Sequence, residues 1–176
     1  ITLSSAVTSA FNGSEISCFN ACDGELTATA SGGTGTISFL WDAVASSQTT
    51  AVATGICDGI FTVTATDGNF CTVTSSVTIT EPVAVTATIP TSTSVTCNLG
   101  NDGDATAAGA GGTGAVYTFL WSDGQTDAIA TALTAANSPY TVTVSDINLC
   151  TATETVTISE PSAISISSTV TSNFNG

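Results

Sequence analysis

A 79-residue repeat is the feature that most narrows what this chain can fold into. Cys18 recurs as Cys97, Asp23-Gly24 as Asp102-Gly103, and Gly32-Gly33-Thr34-Gly35 as Gly111-Gly112-Thr113-Gly114, each at that offset. Phe39-Leu40-Trp41 recurs one residue late as Phe119-Leu120-Trp121. The register then returns: Phe61 matches Tyr140, Asp67 matches Asp146, Cys71 matches Cys150, and Glu81-Pro82 matches Glu160-Pro161. A period of this length is a small domain, not one turn of a solenoid. A second period shows at the ends, where residues 1–13 match residues 164–176 with nine identities in thirteen. The expectation is a piece of a longer tandem array with two alternating domain types. Residues 1–82 form one domain, 83–161 the next, and 162–176 the first strand of a following repeat.

Composition sets the fold class. Thr and Ser are abundant and alternate with apolar residues, a pattern that favours half-buried strands. Leu26, Ala28 and Ala30 alternate with Thr27 and Thr29; Phe61, Val63 and Ala65 alternate with Thr62 and Thr64; Tyr140, Val142 and Val144 repeat that pattern. Ile37, Phe39 and Trp41 share one face of a strand. Turn signals at short intervals mark about seven strands per domain. The predicted architecture is all-β, two tandem immunoglobulin-like sandwiches set end to end. Trp41, Phe39 and Phe61 fill one core, and Trp121, Phe119 and Tyr140 the other. Residues 127–137 also fit a short helix capped by Asp127, although the flanking pattern is β throughout.

Missing residue types exclude whole classes of chemistry. The 176-residue chain has no Lys, Arg or His and a formal charge of −14. Without His there is no Ser-His-Asp or Cys-His site and no imidazole metal ligand. Without Lys or Arg, nothing neutralises phosphate, so nucleic acid is excluded as a partner. Only a pair of carboxylates remains for hydrolysis, and the expectation is no catalysis. No apolar run is long enough to span a membrane as a helix. The Gly-rich segments lack the lysine and helix of a phosphate loop and read as turns.

Six cysteines remain. Cys18 and Cys71 lie 53 residues apart, as do Cys97 and Cys150, whereas Cys22 and Cys57 occur only in the first repeat and are absent together from the second. This pattern predicts the bonds Cys18–Cys71, Cys97–Cys150 and Cys22–Cys57, in an oxidising extracytoplasmic setting. Thiolate metal ligation is the rival; Cys22 follows Cys18 at a short spacing, but no second close pair completes a zinc site. No cofactor is expected. Calcium is the one worth naming: Asp23 with Glu25, and Asp102 with Asp104, sit in loops and offer only oxygen ligands. Pro82 and Pro161 mark stiff joints without Gly/Ser linkers. The strand after Pro82 is predicted to begin at Val83. The apolar residues on both sides of each joint, Ile79 with Val83 and Ile158 with Ile164, could be shared between adjacent domains.

The order Cys97, Asp102-Gly103, Gly111 to Gly114, Trp121 to Gly124, Tyr140 to Val144, Asp146, Cys150 and Val156 to Pro161 resembles the SprB-type repeat. The first copy departs in its extra Cys22 and Cys57 and in lacking Gly after Trp41-Asp42. The resemblance implies an immunoglobulin-like repeat of giant cell-surface adhesins of gliding bacteria, exported by the type IX system, with no catalytic residues. The leading functional expectation is thus a structural segment of an extracellular adhesin stalk or surface filament. Its partners would be neighbouring repeats of the same chain and like chains in a filament. Two alternatives stand beside it: a subunit of a non-covalent filament joined by donated strands, and a glycan-binding surface module.

Overall fold

Period-two alternation becomes twelve strands in a computed structural model that describes residues 1–171. The first domain comprises β1 (Thr2–Val7), β2 (Gly24–Ser31), β3 (Ser38–Trp41), β4 (Val52–Ile56), β5 (Gly59–Thr66) and β6 (Thr72–Ile79). The second repeats the series as β7 (Thr86–Thr93), β8 (Gly103–Ala110), β9 (Thr118–Trp121), β10 (Ile129–Leu133), β11 (Tyr140–Ser145) and β12 (Thr151–Val156). Each domain stacks two three-stranded antiparallel sheets, β1-β2-β4 on β3-β5-β6 and β7-β8-β10 on β9-β11-β12. The fold is all-β and immunoglobulin-like, with six strands per domain where turn spacing suggested about seven. The segment between β1 and β2 makes only an isolated bridge, Phe11 to Ser14, instead of a strand. Residues 127–137 are β10 and a single 3-10 turn, Ala135–Asn137, so the helical option is not taken.

Inward-facing alternate residues of both sheets form each core. Leu26, Ala28, Ala53 and Ile56 face Trp41, Phe61, Val63 and Ile79; in the second domain Ala105, Ala107, Ala130 and Leu133 face Trp121, Tyr140, Val142 and Val144. Each tryptophan is buried and donates its indole N–H to a backbone carbonyl, Trp41 to Thr50 and Trp121 to Asp127, both at 3.0 Å. A buried ring is stabilised by its area only when its polar edge is also satisfied. Phe39 and Phe119 are partly buried at the margins of these cores. Small alanines keep the sandwiches thin, which makes the tryptophans the largest contributors to burial.

The two domains meet pole to pole. The loop between β1 and β2 and the end of β6 lie at the lower pole of the first domain. The start of β7, the Gly111–Gly114 turn and the β11–β12 turn lie at the upper pole of the second. β7 begins at Thr86, not at Val83, and Pro82 to Val85 run through the joint. Ile79 and Ile158 are buried in their own domains, while Val83 and Ile164 are 74% and 94% exposed. The expected sharing of Ile79 and Val83 across the joint between the two domains is therefore not observed; loops, not core side chains, make the contact there. Residues 162–171 form no strand and are exposed. Residues 172–176, the rest of the segment expected to open a further repeat, lie outside the described residues.

Candidate functional site

The joint between the domains is built from two loops whose shapes are set locally. On the upper side, Asp146 organises the β11–β12 turn. Its Oδ1 accepts the backbone N–H groups of Asn148 and Cys150, both at 2.9 Å, and its Oδ2 accepts that of Thr113 at 2.7 Å. The Gly-rich turn wraps this carboxylate closely. At Gly112 (φ +68) a Cβ would overlap Asp146 and Val85, so a left-handed residue without a side chain is required there. On the lower side, Asp23 Oδ1 accepts the N–H of Ser17 at 3.1 Å, Glu81 Oε2 accepts that of Asn20 at 2.6 Å, and the Ala21 N–H closes a turn onto the Cys18 carbonyl at 3.0 Å. These bonds place Cys18 at the lower rim of the first domain.

Two side chains of the second domain, Asn148 and Cys150, close the joint. Asn148 donates its amide to the carbonyls of Phe11 (3.1 Å) and Ser17 (3.0 Å), and its oxygen accepts from Asn12 Nδ2 at 2.6 Å. All the hydrogen-bonding directions of that amide are thus nearly used across the joint. Thr113 is buried, whereas its first-domain counterpart Thr34 is exposed. Cys150 bonds to Cys18, with Cα atoms 5.7 Å apart. A cleft lined by Phe19, Val83, Val85, Gly112 and Leu149 lies beside this bond.

The cysteine pairing differs from the expectation drawn from equal spacing. The structure contains Cys22–Cys57, as expected, and Cys18–Cys150; Cys71 and Cys97 are free and exposed. Cys18–Cys71 and Cys97–Cys150 fail for a geometric reason. Cys18 lies at the lower pole of the first domain, while Cys71 lies in the β5–β6 turn closed by the Thr66↔Thr72 pair at its upper pole. The eight residues of β5 separate those poles by roughly 26 Å, against a Cα separation of at most about 7 Å for a disulfide. Cys97 and Cys150 are separated in the same way by β8 and β11. The 53-residue spacing records one lower and one upper cysteine per domain, not a bond between them.

Of the carboxylates named as calcium candidates, Asp23 and Asp102 cap turns, whereas Glu25 and Asp104 lie within β2 and β8 and not in loops. Asp23 holds Ser17. Asp102 accepts the N–H of Thr96 at 3.0 Å and its hydroxyl at 2.5 Å, and these bonds, led by the hydroxyl, hold its carboxyl below the ordinary value of 3.8. Glu25 accepts the Thr8 hydroxyl at 2.8 Å. Asp104 pairs in the β7–β8 ladder. Among the described residues no group of three or more acidic or thiol side chains converges on a metal-sized site.

The family model of the SprB repeat matches residues 10–46 and again residues 89–126. Both domains match the SprB repeat. The matched stretches run from the lower-pole loop through the second strand and Gly-rich turn to the tryptophan strand, so they contain Cys18 and Cys97. Among solved structures, the three N-terminal domains of the bacteriophage RB49 highly immunogenic outer capsid protein superpose with a TM-score of 0.53 at 18% identity, over 89% of this chain and 59% of that one. Fibronectin(III)-like modules of Clostridium thermocellum CbhA give 0.38 at 18% identity over 89% and 94% of the two chains. The amphioxus IgVJ-C2 molecule gives 0.35 at 13% over 88% and 95%. At such identities the likeness concerns the fold alone. No curated protein sequence matches the chain. The chain carries two matches to this repeat in one polypeptide, and among its described residues no helix is long and apolar enough to cross a membrane.

Proposed function

We propose that this chain is a load-bearing segment of a cell-surface adhesin stalk, without catalysis, that holds a distal binding element away from the cell. The observation that carries this reading is the Cys18–Cys150 bond across an end-to-end joint. A binding module needs an exposed receptive surface; a stalk needs joints that transmit force. Here the joint has a covalent bond, the amide clamp of Asn148 and a proline-stiffened connection at Pro82. Export to an oxidising cell surface follows from the two disulfides and from the family's association with that surface. The adhesin, gliding and type IX assignments rest on the SprB resemblance.

Small-angle scattering on the oxidised chain tests the proposal. A stalk segment gives the profile of a straight two-domain rod, unchanged in a reduced and realkylated control only if the non-covalent clamp alone suffices. A profile of freely tumbling domains in the oxidised chain overturns it. The donated-strand alternative draws support from one feature: Ile164, Ile166 and Val170 are more than 90% exposed on residues that pair with nothing. It predicts non-covalent oligomers that survive reduction and vanish when residues 162–176 are removed.

A further inference from the structure

The two free thiols sit at the outer poles of the two-domain rod, in loops that copy both halves of the bonded joint. In the upper loop of the first domain, Asp67 Oδ1 accepts the N–H groups of Asn69 and Cys71 at 2.9 Å, and Oδ2 accepts that of Thr34 at 3.0 Å. This is the arrangement Asp146 makes around Cys150. The residue preceding each cysteine, Phe70 or Leu149, has φ +65 in both loops. Asn69 stands where Asn148 stands, but exposed. In the lower loop of the second domain, Asp102 holds the N–H of Thr96 at 3.0 Å, Glu160 Oε2 accepts that of Leu99 at 2.7 Å, and Gly100 closes onto the Cys97 carbonyl at 2.9 Å. That is the arrangement around Cys18. Asn20 and Leu99, equivalent residues after the cysteine, both have φ +60. A cleft lined by Thr96, Cys97, Asn98, Pro161 and Ile164 matches the lower half of the cleft beside Cys18.

From this equivalence we infer that Cys97 bonds to Cys71 of a second copy of this two-domain unit placed next along the array, so that every joint carries a disulfide. The inference rests on the stalk reading and extends it. The partner is fixed by alternation: residues 164–176 repeat residues 1–13, so the domain after the second is of the first type, and its upper cysteine is the Cys71 equivalent. Cys71 and Cys97 of one unit cannot reach each other, because both domains lie between them. Thr96 O, the counterpart of Ser17 O, is the carbonyl left for the incoming Asn69 amide. The second domain lacks the Phe11–Asn12 excursion, so this joint has fewer amide contacts and depends more on its disulfide.

The chemistry balances with a disulfide oxidant of the oxidising compartment. The Cys97 thiolate attacks the oxidant's S–S bond, releasing one thiol and leaving a mixed disulfide. The Cys71 thiolate of the next copy then attacks the Cys97 sulfur, the second thiol leaves, and the Cys71–Cys97 bond forms. Two cysteine protons and two electrons pass to the oxidant, which ends as two thiols.

The full chain extended after Gly176 by a second copy of residues 14–161 tests this, refolded with oxidised and reduced glutathione. The expected product contains Cys97 of the first unit linked to the second unit's Cys71, and two thiols remain open to alkylation. In the C97S variant of the first unit, the second unit's Cys71 becomes alkylatable while the Cys18–Cys150 peptides stay linked. Four open thiols, or glutathione adducts at Cys97 and Cys71 in place of their mutual bond, overturn the inference. A rod by scattering with four open thiols leaves the stalk reading standing and removes only the covalent ladder.

Discussion

Pulling the chain by its ends reads the Cys18–Cys150 bond directly. Force entering at Ile1 reaches Cys18, crosses the disulfide and continues from Cys150, so the 132 residues between the bonded positions cannot extend while that bond is closed. At a fully extended rise of about 3.3–3.6 Å per residue they would contribute roughly 440–470 Å of contour length. Single-molecule extension of the oxidised chain should therefore show only the short flanking segments. Adding a reductant should release about 440–470 Å. The C18S variant should release less without reductant, because Cys22–Cys57 still hides 35 residues, or about 120 Å. The within-domain pairing predicts a different record: two separate reductant-dependent steps of roughly 180 Å each, from two 53-residue loops. That record, or a full-length extension without reductant, would refute the force path.

Three further outcomes are expected. Replacing Trp41 by Ala should cost the first domain about 3–5 kcal/mol, enough to unfold so thin a core while the second domain keeps its dispersed NMR spectrum; equal loss in both domains would show that they fold as one unit. Asp67 is held below 3.8 by the N–H of Cys71, then that of Thr34 and Asn69, and Asp102 is lowered likewise; since the folded state binds fewer protons, this stabilisation is complete above the ordinary value and is lost as pH falls through the lowered ones. The urea midpoint should thus drop between pH 5 and pH 2.5, and a flat midpoint would contradict it. With −14 charge and no cations, C18S should become more compact by scattering between low and physiological salt, where screening acts over about 8 Å, while the wild-type chain does not change; equal response in both would mean the disulfide does not constrain the joint.

The domains were legible because one repeat carried several kinds of signal in one order: alternation for the strands, Trp41 and Trp121 for the cores, Gly and Asp for the turns. Cys22–Cys57 was legible because both cysteines are absent from the other copy. The joint was not. Equal spacing of Cys18 to Cys71 and of Cys97 to Cys150 fits bonding within a domain and bonding to the next domain equally well. Only the length of β5 and β11, which puts the members of each spacing at opposite poles, separates the two. Asn148 gave no signal, since an Asn two residues after Asp in a hairpin reads as an ordinary turn. Apolar Val83 after Pro82 suggested a shared core, yet three residues of connection are needed before β7 can pair; of these Val83 is exposed, and Val85 packs on the second core alone. Asp23 and Asp102 looked like calcium ligands because capping a backbone N–H and coordinating a cation call for the same oxygen in the same kind of loop.

Peptide mapping of the monomeric, oxidised chain after blocking free thiols tests the covalent end-to-end joint most directly. A protease that cuts after aromatic residues separates Cys18 from Cys22 at Phe19. The structure predicts a linked pair of peptides containing Cys18 and Cys150, a second containing Cys22 and Cys57, and blocked Cys71 and Cys97. Recovery of Cys18 linked to Cys71, or of Cys97 linked to Cys150, would contradict it.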